Sequence, residues 1–569
     1  MQLKMVLFLC GCMTLLISGR PSQAQLSPEQ IQPLKPLGMP MAIEPGPGTW
    51  LFGQAYGNTT GAFNFGDRWY RAGQGLHFGI DFGMPCGTPL VAVADGTVAY
   101  VDDMGFGSAP HNLVLRHDAL ELTTLYGHLL QTPTLEPGEF VQQGQVVGLS
   151  GDPDETCSGR PHLHLEVRSM DYSRAYNPID LIEANWHSLA LIGPYSLPLF
   201  QQNLQNPRQW ITLEQQPNVQ FWGQVLNRYT NTYPVASGGQ SAPSVSLERR
   251  ISTMPSETDY TLRQVTTDRC CANAMWNPAD ANTLYVVDGG VGTGSSAFEL
   301  NLLTEARRPV RPAPLPVFSP DGAYEIEPFV NGFSKVRRRA DGLEYSVDTS
   351  GSLPTLNPSN TSLLWTVSAD EIIPGQARPQ VDVYLSDIDG ENVRAIFQQA
   401  GTGAMWLSDE RVLLSTRNEQ RETTLYVYML DADRAVEIGT WRELRGLSVA
   451  PGGERLSFYL TWQDDPTANG VYVVDIAQPM NTTVQQMSWF GAWRWRDADS
   501  LYYVPYRPDE AHHTVRVAHL LTGADVPLAA DAPPFTIADG HWRVSADGRR
   551  ILFQNADDNG NLYVLEPSR

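Results

Sequence analysis

The sequence predicts an all-β chain: a compact antiparallel β-sheet domain followed by a β-propeller of about seven blades. Three observations lead there. The 569 residues include 49 Gly and 42 Pro, and long amphipathic helical patterns are few, which favours short strands joined by tight turns. Between residues 49 and 183, runs such as "TPLVAVADGTVAYVDD" and "NLVLRHDALELTTLYGHL" set β-branched and aromatic residues between Gly and Asp turns. Beyond residue 256, a unit of one aromatic or apolar residue, a polar turn and a β run recurs.

Taken in order, the chain opens with Lys4, an apolar stretch from Met5 to Ile17 and the small-x-small triplet Ser22-Gln23-Ala24. This reads as a secretory signal over residues 1–24. "LCGC", ending at Cys12, has some likeness to a lipoprotein box, but apolar residues continue past it, so cleavage after Ala24 is the expected outcome. Nothing later is long and apolar enough to span a membrane, so a soluble, extracytoplasmic protein is expected. Removing residues 1–24 takes away Lys4 and Arg20 and no acid, so the formal charge of −23 becomes −25. That surface repels nucleic-acid phosphates and anionic lipid, which excludes both as main partners. A hydrophobic content of 42% excludes global disorder.

Residues 25–48 are Pro- and Gln-rich and read as an extended, poorly packed leader. Residues 49–185 form the first β domain, closing on "NPIDLIEAN" as its one short helix. Residues 186–255 are a linker or the first propeller strands, and 256–569 the propeller. Four cysteines follow residue 24. Export allows a disulfide between Cys86 and Cys157, while Cys270 and Cys271 either bridge each other or stay free. A zinc cage at that pair is improbable because no second cysteine pair exists.

The repeat is anchored at Trp276, Phe318, Trp406, Val449, Trp495 and Arg543, with separations of 42, 88, 43, 46 and 48 residues. The 88 is two steps, which places a further unit near Leu364-Trp365. A period of 40 to 50 with about four strands is the size of a propeller blade. The turn "SPDG" before a hydrophobic strand resembles the WD40-like repeats of TolB-type propellers. Trp276, Trp406 and Trp495 are expected to pack between blades, and Asp321, Asp409 and Asp547 to bind turn amides. His512 and His513 form a loop pair without ligand-type spacing. The propeller's own ligand, protein or glycan, is not legible.

The chemistry-bearing residues lie elsewhere. In "RPHLHLEV", alternation along a strand puts His162, His164 and Glu166 on one face and Leu163, Leu165 and Val167 on the other. Upstream, "GLHFGIDFG" offers His77 and Asp81, four residues apart across a short Gly-containing turn, and "YGHL" offers His128. Imidazole nitrogen and carboxylate oxygen suit Zn2+; a catalytic site uses three such ligands and keeps one position for water. The ion acidifies water and polarises an amide carbonyl, and two remaining histidines can move protons.

"HFGIDFGMPCGTPLVAVADGTV", "TTLYGHL", "VQQGQVVGLSG" and "SGRPHLHLEVR" together resemble the lysostaphin-type zinc endopeptidases, which cut peptide bridges of peptidoglycan. The resemblance implies His77, Asp81 and His164 as zinc ligands and His128 and His162 as the catalytic pair. Glu166, His111 and His117 are read as structural. Two departures stand out. The loop "GDPDETCSGRPH" is long and carries Arg160, and there is no clear counterpart of the inhibitory Asn of latent members. The expected function is an exported zinc endopeptidase acting on peptidoglycan peptides, with the propeller as a binding or positioning module. The alternative is a non-catalytic wall-binding or amidase-activating protein on the same scaffold.

Overall fold

The computed structural model describes residues 35–193, 204, 211–227, 256–268, 272–290, 294–312, 316–328, 330–369 and 378–568. The proposed signal and the Cys270-Cys271 pair lie outside them. Every element below belongs to one unit, Pro36–Arg569.

Eleven strands precede the propeller: β1 (Leu51–Gln54), β2 (Ile80–Gly83), β3 (Pro89–Val91), β4 (Gly96–Val101), β5 (His111–His117), β6 (Leu122–Leu129), β7 (Phe140–Val141), β8 (Val146–Leu149), β9 (His162–Ser169), β10 (Arg174–Tyr176) and β11 (Val219–Gln220). Nine of them make one antiparallel sheet, in the order β1-β2-β9-β6-β5-β4-β7, with β10 bridging β9 to β11; β3 and β8 pair separately. Strand β9 is central, bonded to β2 on one edge and β6 on the other. Its apolar side, Leu163, Leu165 and Val167, joins a core with Trp50, Phe52, Phe82 and Trp186. Full burial of each such side chain contributes about 1.5–3 kcal/mol.

Four features depart from the sequence expectation. The leader is tied down after residue 35: Leu37 and Met41 are buried, and the Leu37 and Gly38 amides donate to Leu181 O and Val93 O. Its prolines leave these few apolar side chains free to dock. A helix runs from Thr60 to Trp69, started by the Thr59 hydroxyl accepting from the Ala62 amide and kinked at Phe65. Ala62, Phe65 and Trp69 fall at helical spacing, but two glycines and the short length hid it. "NPID" forms a single 3₁₀ turn, Pro178–Asp180, and the short helix lies later, at Trp186–Leu189. Residues 219–220 pair with β10, so this stretch returns to the first sheet.

The propeller consists of seven four-stranded antiparallel sheets. One contains Ser362–Ser368, which supplies the unit expected near Leu364-Trp365. The ring closes where Tyr260–Gln264 pairs with Asn561–Pro567, so the last blade takes its outer strand from the start of the propeller. Trp276 and Trp406 tie neighbouring blades, donating through Nε1 to Arg543 O and Thr355 O. Asp321 and Asp547 accept from amides of their own turns, Ala323 and Arg549. Asp409 behaves differently: it accepts from the Ser359 amide of the preceding blade.

The joint between sheet and propeller is the segment 185–193. Asn185 Nδ2 donates to Pro508 O at 2.9 Å, and Ser188 Oγ donates to Glu510 O at 3.0 Å. Gly540 has φ 67°, and a Cβ there would lie 2.9 Å from Ala190 O. Only glycine suits that approach.

Candidate metal centre

Backbone register assembles the site. Asp81 pairs opposite His164 across β2 and β9, and Gly127 pairs opposite His164 across β6 and β9, which brings His128 alongside. Gly79 keeps the approach open: a Cβ there would meet His164 Cε1 at 2.7 Å and Leu165 O at 2.6 Å. The Cys86–Cys157 disulfide joins the segment after β2 to the long loop before β9, with Cα atoms 5.9 Å apart. The pairing open to export is therefore present.

His77 Nε2, Asp81 Oδ1 and His164 Nδ1 converge, all within 4.8 Å of one another. His77 Nε2 lies 3.2 Å from His164 Nδ1 and 3.3 Å from Asp81 Oδ1, and His164 Nδ1 lies 2.8 Å from Asp81 Oδ1. The ring centroids of His128 and His162 are 4.8 Å apart, and His162 Nε2 lies 3.9 Å from Asp81 Oδ1. All five residues singled out in the sequence come together.

Three of the four rings anchor an outward Nδ1 on a backbone carbonyl. His77 Nδ1 faces Ala55 O at 2.7 Å, His162 Nδ1 faces Arg160 O at 2.6 Å, and His128 Nδ1 is bonded to Ala109 O. His164 Nε2 lies 3.3 Å from Glu166 Oε1, an ion-pair contact outside hydrogen-bond geometry. An acceptor can be met only by an N–H, so His77, His128 and His162, when neutral, each turn a lone pair inward. Two imidazole lone pairs and a carboxylate then point at one another, which is repulsive unless a cation sits between them. The donor set is one that zinc favours.

The electrostatics agree. Burial opposes charge on His164, yet Asp81 and Glu166 outweigh it and raise its pKa to about 9. A proton and a metal ion compete for that same lone pair, so the rise reflects how strongly the position draws positive charge. Burial opposes the Asp81 carboxylate too, but the histidines around it, His77 first, hold it well below the usual range. Burial, then His162 and His164, pushes His128 down to about 3. Burial also lowers His162.

Other residues support the centre without joining it. Glu166 is buried and paired with Arg168 at 2.6 Å, so it holds the His164 ring and does not face the convergence point. Tyr70 sets its ring 5.4 Å from His77. Arg160 is exposed and lies over Trp69 at 5.3 Å. His117 bonds Asp95 O and Thr124, and His111 bonds Asp102.

Residues 75–178 match the model of peptidase family M23. They make a lysostaphin-like M23 domain, which this chain joins to a seven-bladed propeller. A metalloprotease of Haemophilus influenzae, itself uncharacterised, is 39% identical over 103 residues, 18% of this chain and 20% of that protein. Lysostaphin of Staphylococcus simulans is 29% identical over 112 residues, 19% of this chain and 22% of its own length. The peptidoglycan DD-endopeptidase ShyA of Vibrio cholerae is 35% identical over 91 residues, 16% of this chain and 20% of its own. The chain thus spans about a fifth of the length of these relatives. A TolB-type structure from Agrobacterium tumefaciens aligns over 47% of this chain and 96% of its own, at 15% identity and a TM-score of 0.29. Among the described residues no helix is long and apolar enough to cross a membrane.

Proposed function

We propose that this chain is an exported, zinc-dependent endopeptidase that hydrolyses amide bonds in peptidoglycan peptides, with the propeller binding or positioning the wall. The observation that carries it is the convergence of four imidazoles on Asp81, three of them anchored outward through Nδ1 on backbone carbonyls. In this reading His77 Nε2, Asp81 Oδ1 and His164 Nδ1 hold the zinc. The ion supplies Lewis acidity, acidifying water and polarising the scissile carbonyl.

The other two rings do the proton work. His128 and His162, kept neutral by burial, turn their Nε2 lone pairs toward the point where the ligands converge. One takes the proton of the attacking water and returns it to the leaving amine. Once protonated, the pair also offsets charge building on the carbonyl oxygen. Arg160 and Trp69 form part of the rim that meets the peptide. The matched relatives include a lysostaphin and a peptidoglycan DD-endopeptidase, which supports wall peptides as the substrate class.

The test is metal analysis of the purified chain together with mass spectrometry of fragments released from defined peptidoglycans. One zinc per chain and new amino termini within wall peptides are expected, both lost in His77→Ala. Zinc without hydrolysis of either glycine-bridged or directly cross-linked walls would point to the non-catalytic wall-binding alternative.

A further inference from the structure

One corner of this acidic chain's propeller gathers cations. Arg421 Nε lies 2.7 Å from Glu443 Oε1, and Arg445 Nη2 lies 2.9 Å from Glu443 Oε2. Arg417 Nη2 is 3.7 Å from the same Oε2, past hydrogen-bonding reach. Arg378 crosses Gly401 beside the Arg417 backbone: a Cβ on Gly401 would sit 2.8 Å from Arg378 Cδ and 2.9 Å from Arg417 O. Three guanidinium groups thus gather about Glu443, and Arg378 is near enough to act on the charge of Arg417.

Second, the cluster holds donors without acceptors. Arg417 Nε and Nη2 and the indole Nε1 of Trp462 are buried and make no hydrogen bond among the described residues. Trp462 is only 7% exposed and lies beneath Arg445 and Arg421, 4.7 and 5.7 Å from their guanidinium carbons. A buried donor left unmet is costly, and a group that brings acceptors removes that cost. Burial, then Arg445, presses Arg417 down to about 10, with Glu443 opposing. An added negative charge would reverse that shift.

Third, Arg421, Glu443 and Trp462 take φ values of 63°, 55° and 54°. Non-glycine residues held in this region are typical of functional sites, where the surrounding structure enforces them. The cluster also borders the face that meets the peptidase sheet, since the Trp462 amide donates to Pro47 O at 2.9 Å and the Tyr459 hydroxyl to Gly193 O.

We propose that Arg417, Arg445 and Trp462 form a binding site for an oxyanion, a carboxylate or phosphate group, on the propeller face beside the peptidase sheet. The planar guanidinium fork suits such oxygens, and the indole N–H adds a neutral donor. The site could hold a polymer by its anionic groups while the zinc centre acts on a neighbouring stretch.

Calorimetric titration of the full chain tests this, with inorganic phosphate as one probe and a wall tripeptide bearing free carboxylates as the other. Binding of one probe is expected, weakening between about 50 and 300 mM NaCl as screening increases. Phosphate binding points to phosphate polymers or headgroups, and tripeptide binding to wall peptides. Arg417→Gln is expected to weaken binding about tenfold, with partial recovery in Arg417→Lys. Trp462→Phe removes one donor while keeping the ring, and so reads the site even if the arginine variant folds poorly. Asp81→Ala keeps tripeptide binding, which separates this site from the catalytic cleft. Zinc content and cleavage of a short soluble peptide stay unchanged in Arg417→Gln, so failure here leaves the hydrolase proposal standing. If neither probe binds the wild-type chain, or if Arg417→Gln and Trp462→Phe both bind as well as it does, the oxyanion site does not exist.

Discussion

At the peptidase sheet, His77 and His164 turn their nitrogens onto one carboxylate; at the joint with the propeller, His187 and His513 turn theirs onto separate partners. His187 Nδ1 lies 3.1 Å from Asp539 Oδ1, and its Nε2 lies 3.7 Å from Glu214 Oε2. His513 Nδ1 accepts from the Ile537 amide at 2.9 Å, and its Nε2 meets Ser188 Oγ at 3.0 Å. Both places are largely enclosed and combine histidine with aspartate. At the joint each ring nitrogen has its own partner, so the rings fasten two bodies together. At the sheet the inward nitrogens share one point, which suits a cation. Residue type and burial do not separate the two; convergence does.

The comparison breaks most readily at the aspartates. Asp81→Ala is expected to abolish bound zinc and reduce wall hydrolysis to background, measured by metal analysis and dye release from labelled walls. His187→Gln should leave both intact; equal loss in the two variants would erase the distinction. Next, His128→Ala should retain zinc while kcat falls by about 10²–10⁴-fold, the range of a lost general base. A zinc-free His128→Ala protein would instead make that ring a ligand. Glu166→Gln should weaken zinc affinity by about 10–100-fold in a competitive chelator titration, because it loosens the tautomer and orientation of His164.

The smallest effect concerns the joint and its pH response. His187 has a raised pKa: burial opposes the charge, but Asp539 and Glu214 outweigh it. Its stabilisation is full below the unfolded value of about 6.5 and fades as pH rises through the folded value. His513 is pushed down to about 3 by burial first and then by His187 and His512. It stays neutral when folded and so costs stability as pH falls from about 6.5 toward 3. Thermal melting should therefore peak near pH 6.5. His513→Asn is expected to flatten the acid side and His187→Gln the alkaline side. Unchanged curves in both would mean that the joint does not respond to these protons.

The legible parts were those with a short period or a short spacing. The blades repeat every 40 to 50 residues, so a weak unit such as Leu364-Trp365 could be placed by its distance from its neighbours. The HxH motif could be given a single face because strand side chains alternate. The Thr60–Trp69 helix is hard to read because Gly61 and Gly66 interrupt a period of only three apolar residues, and Met41 because a Pro-rich stretch shows no face to bury.

Read alone, the chain supplies the groups: three segments bearing His77 and Asp81, His128, and His162 and His164, each with a local pattern that survives without neighbours. Folding settles which nitrogen of His77, His128 and His162 faces inward. That choice is made by the carbonyls of Ala55, Ala109 and Arg160, and every residue carries a carbonyl, so none of them leaves a mark in the sequence. The same holds for the cluster around Glu443. Its three arginines and Arg378 are spread over 68 positions, from Arg378 to Arg445, and become neighbours only because successive blades place their loops on one face.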